Sequence, residues 1–188
     1  AVQLEEGDYP GQYNMLENNS FNYTNSSNYA TDWTRYNLIS SDVVTGGQMK
    51  ITGSPDKNGA VYQDVELKNA SQDDTYTLSC WALAESMPEK RATVSPYWRH
   101  YSVRIKVYYK DADGNSTDRV AQVSEYNHYD GAWQYTSGSF NLEHPTDTNL
   151  TPYKIRILLA FYRQCNTAFF DDVALFRSAD VYDLSDGA

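Results

Sequence analysis

Residues 101–110 read YSVRIKVYYK, and the alternation in this stretch decides the fold. Successive side chains of an extended chain point to opposite faces. Val103, Ile105, Val107 and Tyr109 therefore share one face, and Arg104, Lys106 and Tyr108 the other. A helix would scatter these apolar residues around its axis, so the segment is a strand with one buried face. The stretch YKIRILLAFY (153–162) repeats the pattern: Ile155, Ile157, Leu159 and Phe161 point one way, and Lys154, Arg156, Leu158 and Tyr162 the other. In both strands the second face mixes aromatics with arginine and lysine. A plainly solvated face would hold more Lys, Glu and Thr and fewer tyrosines.

Working outward, strand-like runs bounded by turn residues fall at 13–16, 33–40, 48–52, 60–67 and 75–83, then at 118–126, 133–142 and 168–176. No long window carries helical periodicity. The 17 tyrosines, with 4 Trp and 6 Phe, suit pleated strands, and the Asn, Ser, Asp and Gly clusters supply turns. The chain is expected to be all-β, a two-sheet antiparallel sandwich. Its 188 residues suit one domain. A single module is expected over 13–177, with 1–12 and 178–188 as linkers.

The formal net charge of −10 and a pI near 4.6 argue against nucleic acid and anionic lipid as partners. No apolar stretch approaches the roughly 18 residues needed to insert into a bilayer. Cys80 lies on the strand face of Tyr76, Leu78 and Ala82 and reads as a small buried filler; Cys165 falls in a turn. Spacing leaves a disulfide between them open. Six Asn-x-Ser/Thr sequons, at Asn18, Asn22, Asn25, Asn69, Asn115 and Asn149, follow mostly from composition. The string DADGNSTD (111–118) has alternating oxygen-bearing residues but no distal glutamate, and reads as a hairpin turn.

Motifs for covalent or metal-dependent catalysis are missing: no Gly-x-Ser-x-Gly, no His-Glu-x-x-His and no phosphate-cradling glycine loop occurs. His100, His128 and His144 sit in or beside loops without metal-ligand spacing. Two connections combine turn formers with large aromatics. AESMPEKRATVSPYWRH (84–100) carries Tyr97 and Trp98, and NHYDGAW (127–133) carries His128 and Tyr129. Such loops either bind a ligand or cap the open ends of a sandwich.

Several motifs also line up in a familiar order. NMLENNSF (14–21), VYQDVEL followed by DTYTLSCWA, AWQYTSGSF and the closing AFFDDVALF together resemble jelly-roll, galactose-binding-like carbohydrate-binding modules. The nearest likeness is to the version in large Gram-positive surface proteins with RHS/YD repeats, and VYDLSDGA is similar to the start of such a repeat. The resemblance spans residues 13 to 177. It implies a jelly roll and a non-catalytic module of an extracellular bacterial protein, whose partners are a polysaccharide or glycan and other domains of the parent. Alternatives are a structural or adhesive spacer, and a jelly-roll hydrolase or lyase.

The resemblance also directs attention to particular residues. Aromatic rings stack on sugar C–H faces while polar groups meet the hydroxyls. Tyr97, Trp98, Tyr126 and Tyr162 are the expected stacking residues, with Arg104 as a hydroxyl or carboxylate partner. Trp33 and Trp133 are expected to be structural, and Trp81 to belong to either surface. Asp171 shares strand parity with Val173 and Leu175 and is expected to face inward with them. In the related modules the first aspartate of this motif resembles a ligand of a structural calcium beside the turn after the first strand. The partner position, usually glutamate, is Asn22 here.

Overall fold

The computed structural model describes residues 13–85, 88 and 98–178; Tyr97 lies outside them. Ten strands follow in chain order: β1 (Thr34–Tyr36), β2 (Val44–Thr45), β3 (Gln48–Thr52), β4 (Asn58–Glu66), β5 (Thr75–Ala84), β6 (His100–Lys110), β7 (Ser116–Glu125), β8 (Gln134–Asn141), β9 (Thr151–Tyr162) and β10 (Thr167–Arg177). They form two five-stranded sheets, β1-β4-β9-β6-β7 and β2-β3-β10-β5-β8, with antiparallel pairing throughout. This is the expected all-β jelly-roll sandwich. No described residue is helical.

Alternation builds the core. Val61, Val103, Ile105, Val107, Ile155, Ile157 and Leu159 of the first sheet face Met49, Ile51, Leu78, Cys80, Phe170, Val173 and Leu175 of the second. Each fully buried aliphatic side chain contributes about 1.5–3 kcal/mol, and together they fix which face of every strand looks inward. Cys80 is fully buried, and its burial pushes the thiol up to about 12; Cys165 is exposed, and the two are not paired.

Three local expectations need correction. The stretch 13–16 is not a strand. It runs beside β10, where Met15 N donates to Leu175 O at 2.9 Å and the Asn14 side chain donates to Val173 O and accepts from Leu175 N, in place of a ladder. The stretch 33–40 shrinks to three strand residues because Asn37 turns left-handed at φ 54°. The short β2, which parity did not pick out, is half of a hairpin whose two-residue turn is Gly46–Gly47, at φ 61° and 81°. That turn type demands positive φ at both central positions, which suits glycine.

A β-bulge in β10 resolves the aspartate pair. Asp171 pairs with Trp81 and Ala174 with Ser79, so β10 carries one extra residue there, and Asp172 adopts φ 46°. Phe170 and Val173 are both buried with two residues between them. Parity is broken by the insertion, and Asp171 does not point inward with Val173. It is half-buried on the outer face beside the exposed Trp81, and Asp172 is exposed.

Candidate functional site

The outer face of the first sheet has an unusual floor. Across the strands, Tyr36 pairs with Ala60, Ala60 with Ala160, Ala160 with Ser102, and Ser102 with Glu125. The middle three of this row are small. The neighbouring row is Thr34, Tyr62, Leu158, Arg104 and Val123; on the other side stand Asn58, Tyr162 and His100. A line of small side chains between two lines of taller ones makes a narrow trough across the sheet, whose floor of Ala60, Ala160 and Ser102 is fully buried. Ala60, Ala160 and Tyr162 form an apolar cluster separate from the main core. Tyr36 stands 48% exposed at one end of the trough.

The central strands β6 and β9 turn five of the chain's fifteen basic side chains to this face: Arg104, Lys106, Lys110, Lys154 and Arg156. Most are engaged. Arg156 makes a bidentate pair with Asp64 at 2.6 and 2.7 Å, and Lys154 reaches the same carboxylate at 3.3 Å. Burial would raise the Asp64 carboxyl, but these two cations hold it below its ordinary value. Arg156 also lies over the Tyr62 ring at 3.8 Å, Lys154 over Tyr108 at 4.4 Å and Lys110 over Tyr153 at 4.6 Å. Lys106 pairs with Asp118 at 2.8 Å. Arg104 lies 5.3 Å from the Tyr162 ring centroid and hydrogen-bonds its phenol, and like Lys110 it has no acidic partner among the described residues.

At the far end of the trough Glu125 takes a short hydrogen bond with His100 Nδ1 and lies 3.4 Å from His128 Nε2. Burial works to raise Glu125, yet the two histidines outweigh it and bring the carboxyl down to about 2. Two polar atoms on this face, Ser102 Oγ and Asn58 Oδ1, are buried with no hydrogen-bond partner among the described residues. Unmet buried groups of this kind are uncommon and costly.

The expected sugar-binding residues divide. Arg104 and Tyr162 do come together beside the trough, but Tyr162 is only 8% exposed, its burial raising the phenol. Trp98 precedes β6 by two residues and is half exposed. Tyr126 is a core residue: its ring packs 4.8 Å from Tyr101 and its hydroxyl donates to Cys80 O, which leaves no ring face for a sugar. Trp33 is structural, buried against Phe21 with Nε1 donating to Asn18 O. Residue patterns passed over Tyr36, Tyr62, Asn58, Ser102 and the alanines. Small residues at outward positions of β4, β6 and β9 were the available signal, and only cross-strand register turns them into a trough.

Calcium takes six to eight oxygens. Among the described residues no group of three His, Cys, Asp or Glu side chains could hold a metal. Asp171 is raised by burial and then by Asp172 beside it, and its carboxylate accepts only the Asp172 amide, at 2.8 Å, among described hydrogen bonds. Asn22 Oδ1 lies 3.7 Å from where a Cβ on Gly47 would stand, at the start of the strand that pairs with β10. Asp171 and Asn22 would be the side-chain ligands, and main-chain carbonyls would supply the rest.

This architecture defines the class: a two-sheet jelly-roll sandwich with a trough on one outer face. No protein-family model matches the chain, and no curated protein matches it in sequence. Solved structures match by fold, among them carbohydrate-binding modules. A CBM4 module is 19% identical over 87% of this chain and 99% of its own, with a TM-score of 0.51. A candidate sugar-binding protein from Bacteroides thetaiotaomicron VPI-5482 is 14% identical over 88% of this chain and all of its own, with a TM-score of 0.52. An arabinose-bound α-L-arabinofuranosidase is 14% identical over 91% of this chain but only 27% of its own, with a TM-score of 0.50. At these identities the likeness is one of fold.

Proposed function

We propose that this chain is a non-catalytic carbohydrate-binding module that lays a glycan along the trough of the first sheet. The trough carries the reading: a floor of Ala60, Ala160 and Ser102, walled by aromatic and basic side chains. Sugar C–H faces meet apolar walls and rings such as Tyr36, and sugar hydroxyls meet the basic side chains such as Arg104. The fold likeness to carbohydrate-binding modules supports it. Affinity electrophoresis through gels cast with different polysaccharides tests it. Retardation by at least one polymer, weakened by Tyr36→Ala with the unfolding midpoint unchanged, is expected. Retardation by none of a broad set overturns it.

The spacer reading draws on a different observation, the exposed Trp81 and Tyr135 on the outer face of the second sheet, 5.2 Å apart. Such a pair suits a neighbouring domain. We further propose that the module works outside the cell, within a larger bacterial surface protein, and binds calcium through Asp171 and Asn22. Calcium should then raise the melting temperature and a chelator lower it, both responses vanishing in Asp171→Ala.

A further inference from the structure

Arg104 has no acidic partner among the described residues, a trait it shares on this face with Lys110 at the end of β6, and it hydrogen-bonds the Tyr162 phenol. Around it the acids of the face are spoken for: Asp64 by Arg156 and Lys154, Asp118 by Lys106, Glu125 by His100 and His128. Its cross-strand neighbours, Leu158 and Val123, are apolar. A half-buried guanidinium with apolar cross-strand flanks, in a protein of net charge −10, has no carboxylate paired with it among the described residues. Leaving a partly desolvated charge unpaired is costly, and a bound anion removes that cost.

We infer that the trough takes an acidic glycan, with the carboxylate of a hexuronate residue on Arg104. This rests on the carbohydrate-binding reading and names the class of sugar. The planar guanidinium matches a planar carboxylate with two parallel hydrogen bonds, a fit that a lone hydroxyl lacks. The Tyr162 ring beside it, 5.3 Å from the guanidinium carbon, limits where that fork lies. Five basic side chains on β6 and β9 set a local field of the right sign to draw a polyanion to this face of an otherwise acidic molecule.

The test compares polygalacturonate and alginate with neutral galactan, highly methyl-esterified pectin and dextran sulfate, by affinity electrophoresis and titration calorimetry at low and high salt. At least one uronate polymer should bind at least about tenfold more tightly than its neutral or esterified counterpart, and less tightly as salt rises. Arg104→Gln should lower that affinity by about tenfold or more, and Lys50→Gln, a cation of β3 in the second sheet, should leave it nearly unchanged. Arg104→Lys, which keeps the charge and loses the fork, should fall between, and thermal unfolding checks that all three variants fold. Galactan binding indifferent to Arg104→Gln would overturn the acidic ligand and leave the module reading standing. Dextran sulfate bound as tightly as the uronates would overturn the carboxylate. Binding to none of the polymers would overturn both.

Discussion

On the outer face of the first sheet, Tyr62 lies under Arg156 and Tyr108 under Lys154. On the outer face of the second, Trp81 and Tyr135 sit side by side with no cation over either ring among the described residues. Beside them run hydroxyls, Ser79 paired with Ser137 and Thr77 bonded to Ser139 at 2.9 Å. Both faces are rich in aromatics and each carries a row of small residues, Ala174, Ser79 and Ser137 on the second, but only the first concentrates basic side chains beside its row. Exposed rings alone therefore do not mark a binding groove. Nor does a row of small residues alone; the first face differs in setting basic side chains beside its row.

Paired substitutions on the two faces would sharpen or break this contrast. Tyr162→Ala, which removes a ring that is 8% exposed, should cost about 3 kcal/mol in urea unfolding, and Trp81→Ala, at 39% exposed, about 1 kcal/mol. Equal losses would mean that the outer row around Tyr162 is not packed. Filling the floor comes next. Ala160→Leu should overpack the trough, destabilise by about 1–3 kcal/mol and abolish glycan retardation, while Ser79→Leu on the other face should stay within about 0.5 kcal/mol.

The acid response should also belong to the first face. Glu125 has a folded value near 2 against an ordinary 4.5, so its ionised form contributes stability that is present above pH 4.5 and is lost as the pH falls toward 2. Glu125→Gln should flatten the denaturation midpoint across that window; an unchanged pH profile would remove the histidine pair as its cause. The smallest effect is expected at the solvent-exposed Lys106–Asp118 pair. Lys106→Gln should cost less than about 1 kcal/mol, a difference that 1 M salt erases.

Much of the fold was legible because alternation reports burial directly. YSVRIKVYYK and YKIRILLAFY became β6 and β9 nearly residue for residue, with the expected faces. Failures came where backbone geometry interrupts alternation. Asp171 was read one face wrong because an inserted residue at Asp172 shifts the parity of everything beyond it, and a left-handed φ leaves no mark in an Asp-Asp pair. Tyr126 was read as accessible because it closes a strand-like run. In fact it follows the last residue of β7 and swings into the core, where its hydroxyl bonds Cys80 O. The trough itself is spread over residues 36, 60, 102, 125 and 160, and no local window contains two of its three floor residues.

The two cysteines turn the sandwich into its own stability gauge. An alkylating reagent meets Cys165 in the intact molecule, whereas Cys80 lies between the sheets with its thiol held protonated at neutral pH. Modification of Cys80 must wait for the sheets to part. When reclosing outpaces the reagent, the slow phase of labelling, set against the rate for an unfolded chain, reads the free energy of that parting without any denaturant. A ligand seated in the first sheet's trough should then lengthen the slow phase.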